Sequence, residues 1–171
     1  MRNSKMKGFT LIELIVVIAI IGVLAAILVP SMLGYVRNSR ISTANANAKQ
    51  VHTAVSSALT QMSIAGKPMT GAGAGGATTT LTIPAATGTG TAATISCSNN
   101  GYDLDLISYL GENFTGTGYA VCTKATYSVQ FTTWTQASSA KALTAAVTES
   151  QQKADAKNGD IYGCYPLASQ S

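Results

Sequence analysis

Residues 7–14 read KGFTLIEL, and they begin an apolar run that continues to Val36. Glu13 is the one charged residue between Phe9 and Val36. The run is long enough to cross a bilayer, since about 20 apolar residues suffice. A carboxylate inside such a helix is costly to bury and is usually retained where a specific partner neutralises it. We therefore expect a membrane-spanning helix in which Glu13 meets a positively charged group.

The polar start MRNSKMKG (residues 1–8), the GFTLIEL junction and the apolar helix resemble the N-terminus of a type IV prepilin. In that family a membrane peptidase cuts after the glycine, here Gly8, and methylates the new amino terminus, here Phe9. The resemblance implies that Glu13 then pairs with the amino group of a neighbouring subunit's Phe9 during filament assembly. Two opposite charges about 4 Å apart attract by roughly 4 kcal/mol at an effective dielectric near 20, before desolvation is subtracted. Such a pair would specify register more than it supplies stability.

Two other interpretations of the same segment are a secretory signal peptide and a plain membrane anchor. A secretory signal places its cleavage site after an apolar region of about 7–15 residues. Here Gly8 precedes a much longer apolar run, so cleavage would leave the helix on the protein. A plain anchor explains the length but neither Glu13 nor the Gly-Phe step.

The length and charge of the chain indicate a helical stalk with one compact domain. Removing residues 1–8 from the 171-residue chain leaves 163, which is too short for a second catalytic domain. The basic side chains of residues 1–8 account for three of the eleven in the chain, so the remainder carries eight basic and seven acidic groups. This near-neutral balance gives no strong nucleic-acid signal. The predicted segments are a leader (1–8), the hydrophobic half of the helix (9–36), its amphipathic half (37–66), a connecting loop rich in Gly, Ala and Thr (67–98) and a C-terminal globular part (99–171).

The pattern after Val36 predicts a one-sided helix that ends before Gly66. If residues 9–64 form one helix, it is roughly 84 Å long at a rise of 1.5 Å per residue, far more than a bilayer needs. The face expected to pack on the globular part consists of Ala44, Ala48, Val51, Val55, Ala58 and Met62. The positions expected to contact water or another subunit include Asn45, Lys49, Gln50, Ser56 and Gln61.

Gly22 and Pro30 interrupt the apolar half of the helix. Glycine lowers helix propensity, and proline lacks the amide that would donate to the carbonyl of Ala26. The resemblance implies that this segment kinks in the membrane and unwinds in the filament. The simpler alternative is a bent anchor.

The sequence of the globular part predicts an α+β fold, in which the long helix packs on a small antiparallel β-sheet. The resemblance implies the same fold. Alternating residues predict a hairpin from residues 119–122 and 127–131, with Tyr127, Val129 and Phe131 on one face. Short helices are predicted within residues 102–110 and 141–157, the second supported by a Glu149–Lys153 pair. Residues 161–165 are expected to form the last strand.

The three cysteines Cys97, Cys122 and Cys164 leave three possible single bridges, between 97 and 122, 97 and 164, or 122 and 164. The resemblance to pilins, which often tether a C-terminal segment to the sheet, favours Cys122 with Cys164. Three buried thiols are the alternative.

We find no catalytic constellation, no metal site and no cofactor motif in the sequence. The only histidine, His52, is on the helix, where we expect a surface or interface position. No His and Cys cluster has zinc-ligand spacing, and Asp103 and Asp105 are too few for a calcium loop. The Gly-rich run 71–76 lacks the Lys-Ser or Lys-Thr of a phosphate loop, so the chain is not an assembly motor.

The resemblance therefore implies a non-enzymatic structural subunit of a type IV pilus, made as a cytoplasmic-membrane precursor and assembled into an extracellular filament. Its partners would be other pilin subunits, the prepilin peptidase and the pilus assembly machinery, with a surface or polysaccharide ligand as a further option. Roles in adhesion, motility or DNA uptake fit such a filament. A type II secretion pseudopilin or a competence pilin shares the same N-terminus. The alternative of another class is a membrane-anchored polysaccharide-binding protein, which would retain residues 1–8.

Overall fold

A computed structural model of the chain describes residues 9–66, 78–84, 96–98, 103–111, 114–123, 126–136 and 145–168. The leader, the glycine run 71–76, the hairpin turn at 124–125 and residues 141–144 lie outside these ranges. The chain divides into two compact units, Met1–Arg37 and Asn38–Ser171.

The first described element, α1, spans Leu11–Ile64 as one helix, close to the predicted 9–64. It is followed by Gly66 at a φ of 63°, a left-handed conformation that favours glycine and ends helices. Beyond α1 come β1 (Thr78–Ile83), β2 (Ser96–Ser98), β3 (Asp103–Asp105), α2 (Ile107–Leu110), β4 (Thr117–Thr123), β5 (Ser128–Thr135), α3 (Glu149–Lys157) and β6 (Tyr162–Tyr165).

The described strands form a four-stranded antiparallel sheet in the order β1-β4-β5-β6 and a two-stranded sheet of β2 and β3. The predicted α+β fold is therefore confirmed, as are the β4–β5 hairpin and the last strand. The core cluster contains the predicted apolar face of α1, including Ala48, Val51 and Val55, which are fully buried. Each of the two buried valines of this face contributes about 1.5–3 kcal/mol.

Part of the predicted connecting loop is a strand, because β1 lies inside residues 67–98 and pairs with β4 along its whole length. The segment TTTLTI combines β-branched residues with inward-facing Leu81 and Ile83, and both of these side chains are buried. The prediction missed this short alternation of inward-facing and outward-facing residues because the segment as a whole is rich in Gly, Ala and Thr. The helix predicted within residues 102–110 is likewise shorter than expected, since β3 takes its first part and α2 only its last four residues.

A β-bulge overturns the predicted placement of three side chains on one face of the hairpin. The register opposes Val121 to Phe131 but Cys122 to Val129, so Gln130 is an extra residue in β5. An extra residue inverts the alternation of a strand. Tyr127 and Val129 consequently pack against the cluster beneath α1, whereas Phe131 belongs to the cluster on the opposite face.

The expected bridge between Cys122 and Cys164 is wrong, and no bond joins these two residues. Strand β5 lies between them, with Cys122 opposite Val129 and Cys164 opposite Thr133. Two strand spacings already amount to about 10 Å, whereas bridged cysteines have Cα atoms about 4.4–6.8 Å apart. The two side chains also belong to clusters on opposite faces of the sheet. Pairings with Cys97 concern a side chain outside the described part of the chain.

Candidate assembly site at the N-terminus of α1

The apolar half of α1 presents its side chains to the surroundings on every side. Each residue from Phe9 to Val36 is exposed except the half-buried Ala25. Within the described residues α1 is the one helix long and apolar enough to cross a membrane. So much exposed apolar surface requires lipid or protein around it.

Glu13 forms a capping box with Thr10 at the start of α1. The backbone N–H of Thr10 donates to Glu13 Oε2 at 2.9 Å, and the Thr10 hydroxyl donates to the same oxygen at 2.5 Å. In return, the N–H of Glu13 donates to Thr10 Oγ1 at 3.4 Å. These bonds occupy donors that a helix start leaves without partners. Thr10 was not among the predicted site residues, although the Thr-x-x-Glu spacing signals this role.

The other carboxylate oxygen of Glu13, Oε1, accepts no hydrogen bond from any described residue. The Glu13 side chain is exposed, as is Phe9, at 73%. Phe9 and Glu13 thus lie within one turn of the start of α1, and one oxygen of the only acid in α1 is open to a second molecule. Gly8 lies outside the described residues.

Gly22 and Pro30 both lie inside the continuous α1. A Cβ added to Gly22 would meet no atom of the described residues within 4 Å, so none of these residues requires glycine there for packing. Next to Pro30, the hydroxyl of Ser31 donates to the carbonyl of Leu28 at 2.8 Å. In the described structure the helix passes through both positions without interruption.

The polar positions of the amphipathic half differ from one another. Lys49, Gln50 and Gln61 are exposed as predicted. Asn45, in contrast, is half-buried and hydrogen-bonds to Gln152 and to the backbone of Cys164. His52, for which a surface or interface position was expected, is half-buried. Nothing in the local sequence distinguishes Asn45, because its partners lie more than 100 residues away.

No group of three or more His, Cys, Asp or Glu side chains that could hold a metal ion occurs among the residues with described positions. The chemistry this N-terminus offers is the pairing of a carboxylate with a cation in an apolar setting.

Residues 3–29 match the family model of the prokaryotic N-terminal methylation motif. The matched residues include the start of the long apolar helix α1, and the small antiparallel sheet follows later in the chain. The N-terminal region of the chain is also similar to type IV fimbrial and pilin proteins.

The chain is 41% identical over 69 residues to a type IV major fimbrial protein, FimA, of Dichelobacter nodosus, covering 40% of this chain and 44% of that protein. It is 48% identical over 52 residues to the type IV major pilin protein PilA of Myxococcus xanthus, covering 30% and 24% respectively. A fimbrial protein of Eikenella corrodens, EcpC, is 57% identical over 44 residues, or 26% of this chain and 29% of the relative. These alignments span less than half of each relative. No solved structure matches the chain.

Proposed function

We propose that this chain is a structural subunit of a type IV pilus that is cleaved after Gly8, methylated at Phe9 and polymerised through α1 into an extracellular filament. The observation that carries the proposal is Glu13, the only charged residue in the exposed apolar half of α1 (residues 9–36), which overlaps the match to the N-terminal methylation motif. The precursor would reside in the cytoplasmic membrane, and the chain would act as a building block rather than an enzyme.

The exposed apolar half of α1 supports polymerisation. Transfer from lipid to a bundle of identical helices exchanges one apolar environment for another, so packing and specific polar contacts decide the geometry. A head-to-tail contact that does not close a ring builds a helical filament. Other copies of this chain would then surround residues 9–36.

The geometry of Glu13 supports a pairing between subunits. Its Oε2 is engaged by the helix start and its Oε1 is open, so the carboxylate can keep its cap while it accepts a bond from a second molecule. Cleavage after Gly8 would create a positively charged amino group on Phe9. In an apolar surrounding, this ammonium of a neighbouring subunit would neutralise Glu13 and fix the axial register.

Gly22 and Pro30 are proposed as the positions where α1 kinks in lipid or unwinds in the filament. The conformational freedom of Gly22 and the missing amide of Pro30 weaken the helix at two points, and no described atom would contact a side chain at Gly22. The prepilin peptidase and the membrane assembly machinery are the further partners that this function requires.

Mass spectrometry of sheared surface filaments tests the processing step. We expect the chain to be a main component and to start at an N-methylated Phe9. A mature surface protein that still begins at Met1 and forms no filament would instead support a membrane-anchored binding protein. A processed chain found only in the cell envelope would support a secretion pseudopilin.

Substitution of Glu13 separates its charge from its capping role. Glu13→Gln keeps an oxygen at the third helical position, which a capping box accepts, but removes the charge. Thr10→Ala removes the cap at a cost of about 1 kcal/mol and keeps the charge. We expect the share of Glu13→Gln in mixed filaments to fall about tenfold, or about 1.4 kcal/mol, while membrane levels stay constant.

Thr10→Ala is the matched control, and we expect it to enter filaments at near the wild-type share. Normal incorporation of Glu13→Gln would remove the charge pair from the proposed mechanism. An equal loss in both variants would assign Glu13 a capping role only.

A further inference from the structure

We propose that Asn45 positions the C-terminal strand β6 on α1 through a polar clasp, formed by Asn45, Gln152 and the backbone of residues 162–164, and that Cys164 remains a reduced thiol beside it. The clasp lies wholly within the second compact unit and does not depend on the proposed function.

Both polar atoms of the Asn45 side-chain amide form hydrogen bonds. Its Oδ1 accepts hydrogen bonds from Gln152 Nε2 at 2.8 Å and from the backbone N–H of Cys164 at 2.9 Å. Its Nδ2 donates to Gln152 Oε1 at 3.3 Å. One side chain on α1 therefore binds both α3 and the last strand.

Gln152 completes the network from α3. It is 1% exposed, and its Nε2 also donates to the carbonyl of Tyr162 at 3.2 Å. A buried amide that loses its partners costs about 1–3 kcal/mol. Because Asn45 binds Gln152 at both ends, its removal would leave Gln152 Oε1 without its donor and Gln152 Nε2 with the Tyr162 carbonyl as its remaining acceptor.

The backbone of β6 approaches α1 at Gly163. A Cβ at this position would lie 1.9 Å from the carbonyl oxygen of Ala44, which immediately precedes Asn45. The close approach brings the Cys164 amide within reach of Asn45 Oδ1. Next to it, the Tyr162 hydroxyl donates to Asp155 at 2.6 Å and ties β6 to α3 a second time.

Cys164 does not contribute a covalent tether. It is 1% exposed, packs with Val121 and Phe131 on the face of the sheet away from α1, and donates through Sγ to the carbonyl of Pro166 at 3.6 Å. Burial raises the pKa of this thiol, and the thiolate is the species that exchanges with disulfides. The hydrogen bonds of the clasp thus hold the C-terminal segment where a cystine could have held it.

Hydrogen exchange of the full-length protein in detergent micelles tests the clasp. In Asn45→Ala we expect the Cys164 amide to exchange at least about tenfold faster, because it loses its acceptor, while amides shared by β4 and β5 keep their rates. Asn47→Ala is the matched control, since Asn47 is half-buried on the same helix and makes no hydrogen bond to any described residue. We expect Asn47→Ala to leave the Cys164 amide unchanged.

The variant Asn45→Asp separates the positioning of β6 from the general stability of the fold. It also provides the test if Asn45→Ala does not fold. It keeps an acceptor for the Cys164 amide and for Gln152 Nε2, so we expect protection of that amide to return to near the wild-type rate. An unchanged Cys164 amide in Asn45→Ala, or an equal increase across the whole sheet, would overturn the positioning role.

Alkylation of the protein after denaturation without reductant tests the thiol. We expect the peptide that contains Cys164 to carry the alkyl group. A cystine-linked Cys164 peptide from the native protein would overturn the claim that this residue stays reduced.

Discussion

His52 shows how one side chain can depart from the role that its position on a helix suggests. Its ring meets Tyr165 of β6 in a T-shaped contact with ring centroids 5.1 Å apart, and its buried Nδ1 has no hydrogen-bond partner among the described residues. Lys49 lies on the same helix with its Nζ 5.6 Å from the centre of the Tyr165 ring. Burial lowers the pKa of His52 below its ordinary value of 6.5. The folded protein therefore prefers a neutral imidazole next to Lys49 and Tyr165.

The lowered pKa of His52 predicts that acid weakens the fold. The contribution of neutral His52 is fully present above pH 6.5 and is lost as the pH falls through the lower folded pKa, because the unfolded chain binds the proton first. His52→Gln is neutral at every pH and should lose less stability between pH 7.5 and pH 5 than the wild type. The stabilities of the wild type and of His52→Gln are measured by thermal unfolding in detergent, monitored by the fluorescence of the single tryptophan, Trp134.

His52 is the only histidine of the chain, so the difference between the two pH profiles belongs to this residue. Carboxylates titrate equally in both proteins and cancel in the comparison. Parallel profiles for wild type and His52→Gln would show that the burial of His52 has no energetic consequence.

At the scale of elements, the helix–sheet interface depends on small residues that let backbones approach. Ala44 and Ala48 are buried on α1, and the hydroxyl of Thr132 in β5 donates to the carbonyl of Ala48 at 2.7 Å. A Cβ added to Gly118 of β4 would lie 3.3 Å from the side chain of Val51. The sequence predicted the alanine face of α1 from its periodicity but could not identify which strand residues approach it.

Substitution of Gly163 should separate β6 from α1. In Gly163→Ala the new methyl group would lie 1.9 Å from a backbone oxygen, which cannot move as a flexible side chain can. We expect the free energy of unfolding to fall by more than about 3 kcal/mol, measured from the fluorescence of Trp134 against denaturant. The matched change is Gly34→Ala, where no atom lies within 4 Å and helix propensity improves.

We expect Gly34→Ala to leave the Trp134 transition where it is in the wild type. If the Gly163→Ala protein unfolded at the same denaturant concentration as the wild type and Gly34→Ala, the close approach of β6 to α1 would be contradicted. Loss of the transition in Gly163→Ala alone would agree with the close approach.

The bulge in β5 marks the limit of prediction at this scale. Alternation of apolar residues identified the strand, but the extra residue Gln130 reverses which side chains face α1. A bulge is set by the pairing of two strands and has no consistent signature within one of them. The expected bridge between Cys122 and Cys164 failed for a similar reason. Only the strand order and register show that these two side chains lie on opposite faces of the sheet.

At the scale of the whole molecule, the chain consists of two units that differ in how much apolar surface they expose. Residues of the first unit expose apolar side chains from Phe9 to Val36, whereas the second has its own core, formed mainly by α1 and the four-stranded sheet. The change from an all-round to a one-sided apolar pattern was visible in the sequence, because it follows directly from what surrounds a helix. The hydrogen bonds that close the second unit were not visible, since they join residues far apart in the chain.

A fragment that starts at Asn38 should fold without the apolar half of α1. The buried residues of α1, from Ile41 to Met62, all lie within it, as do the described strands and α3. We expect residues 38–171 to be a soluble monomer without detergent in size-exclusion chromatography with light scattering, and to show the same exchange protection in β4 and β5 as the full chain. The full-length protein is the control and should require detergent, because its exposed apolar surface remains. A fragment that is unfolded or aggregated would show that the second unit does not have a sufficient core, and that residues before Asn38 contribute to its stability.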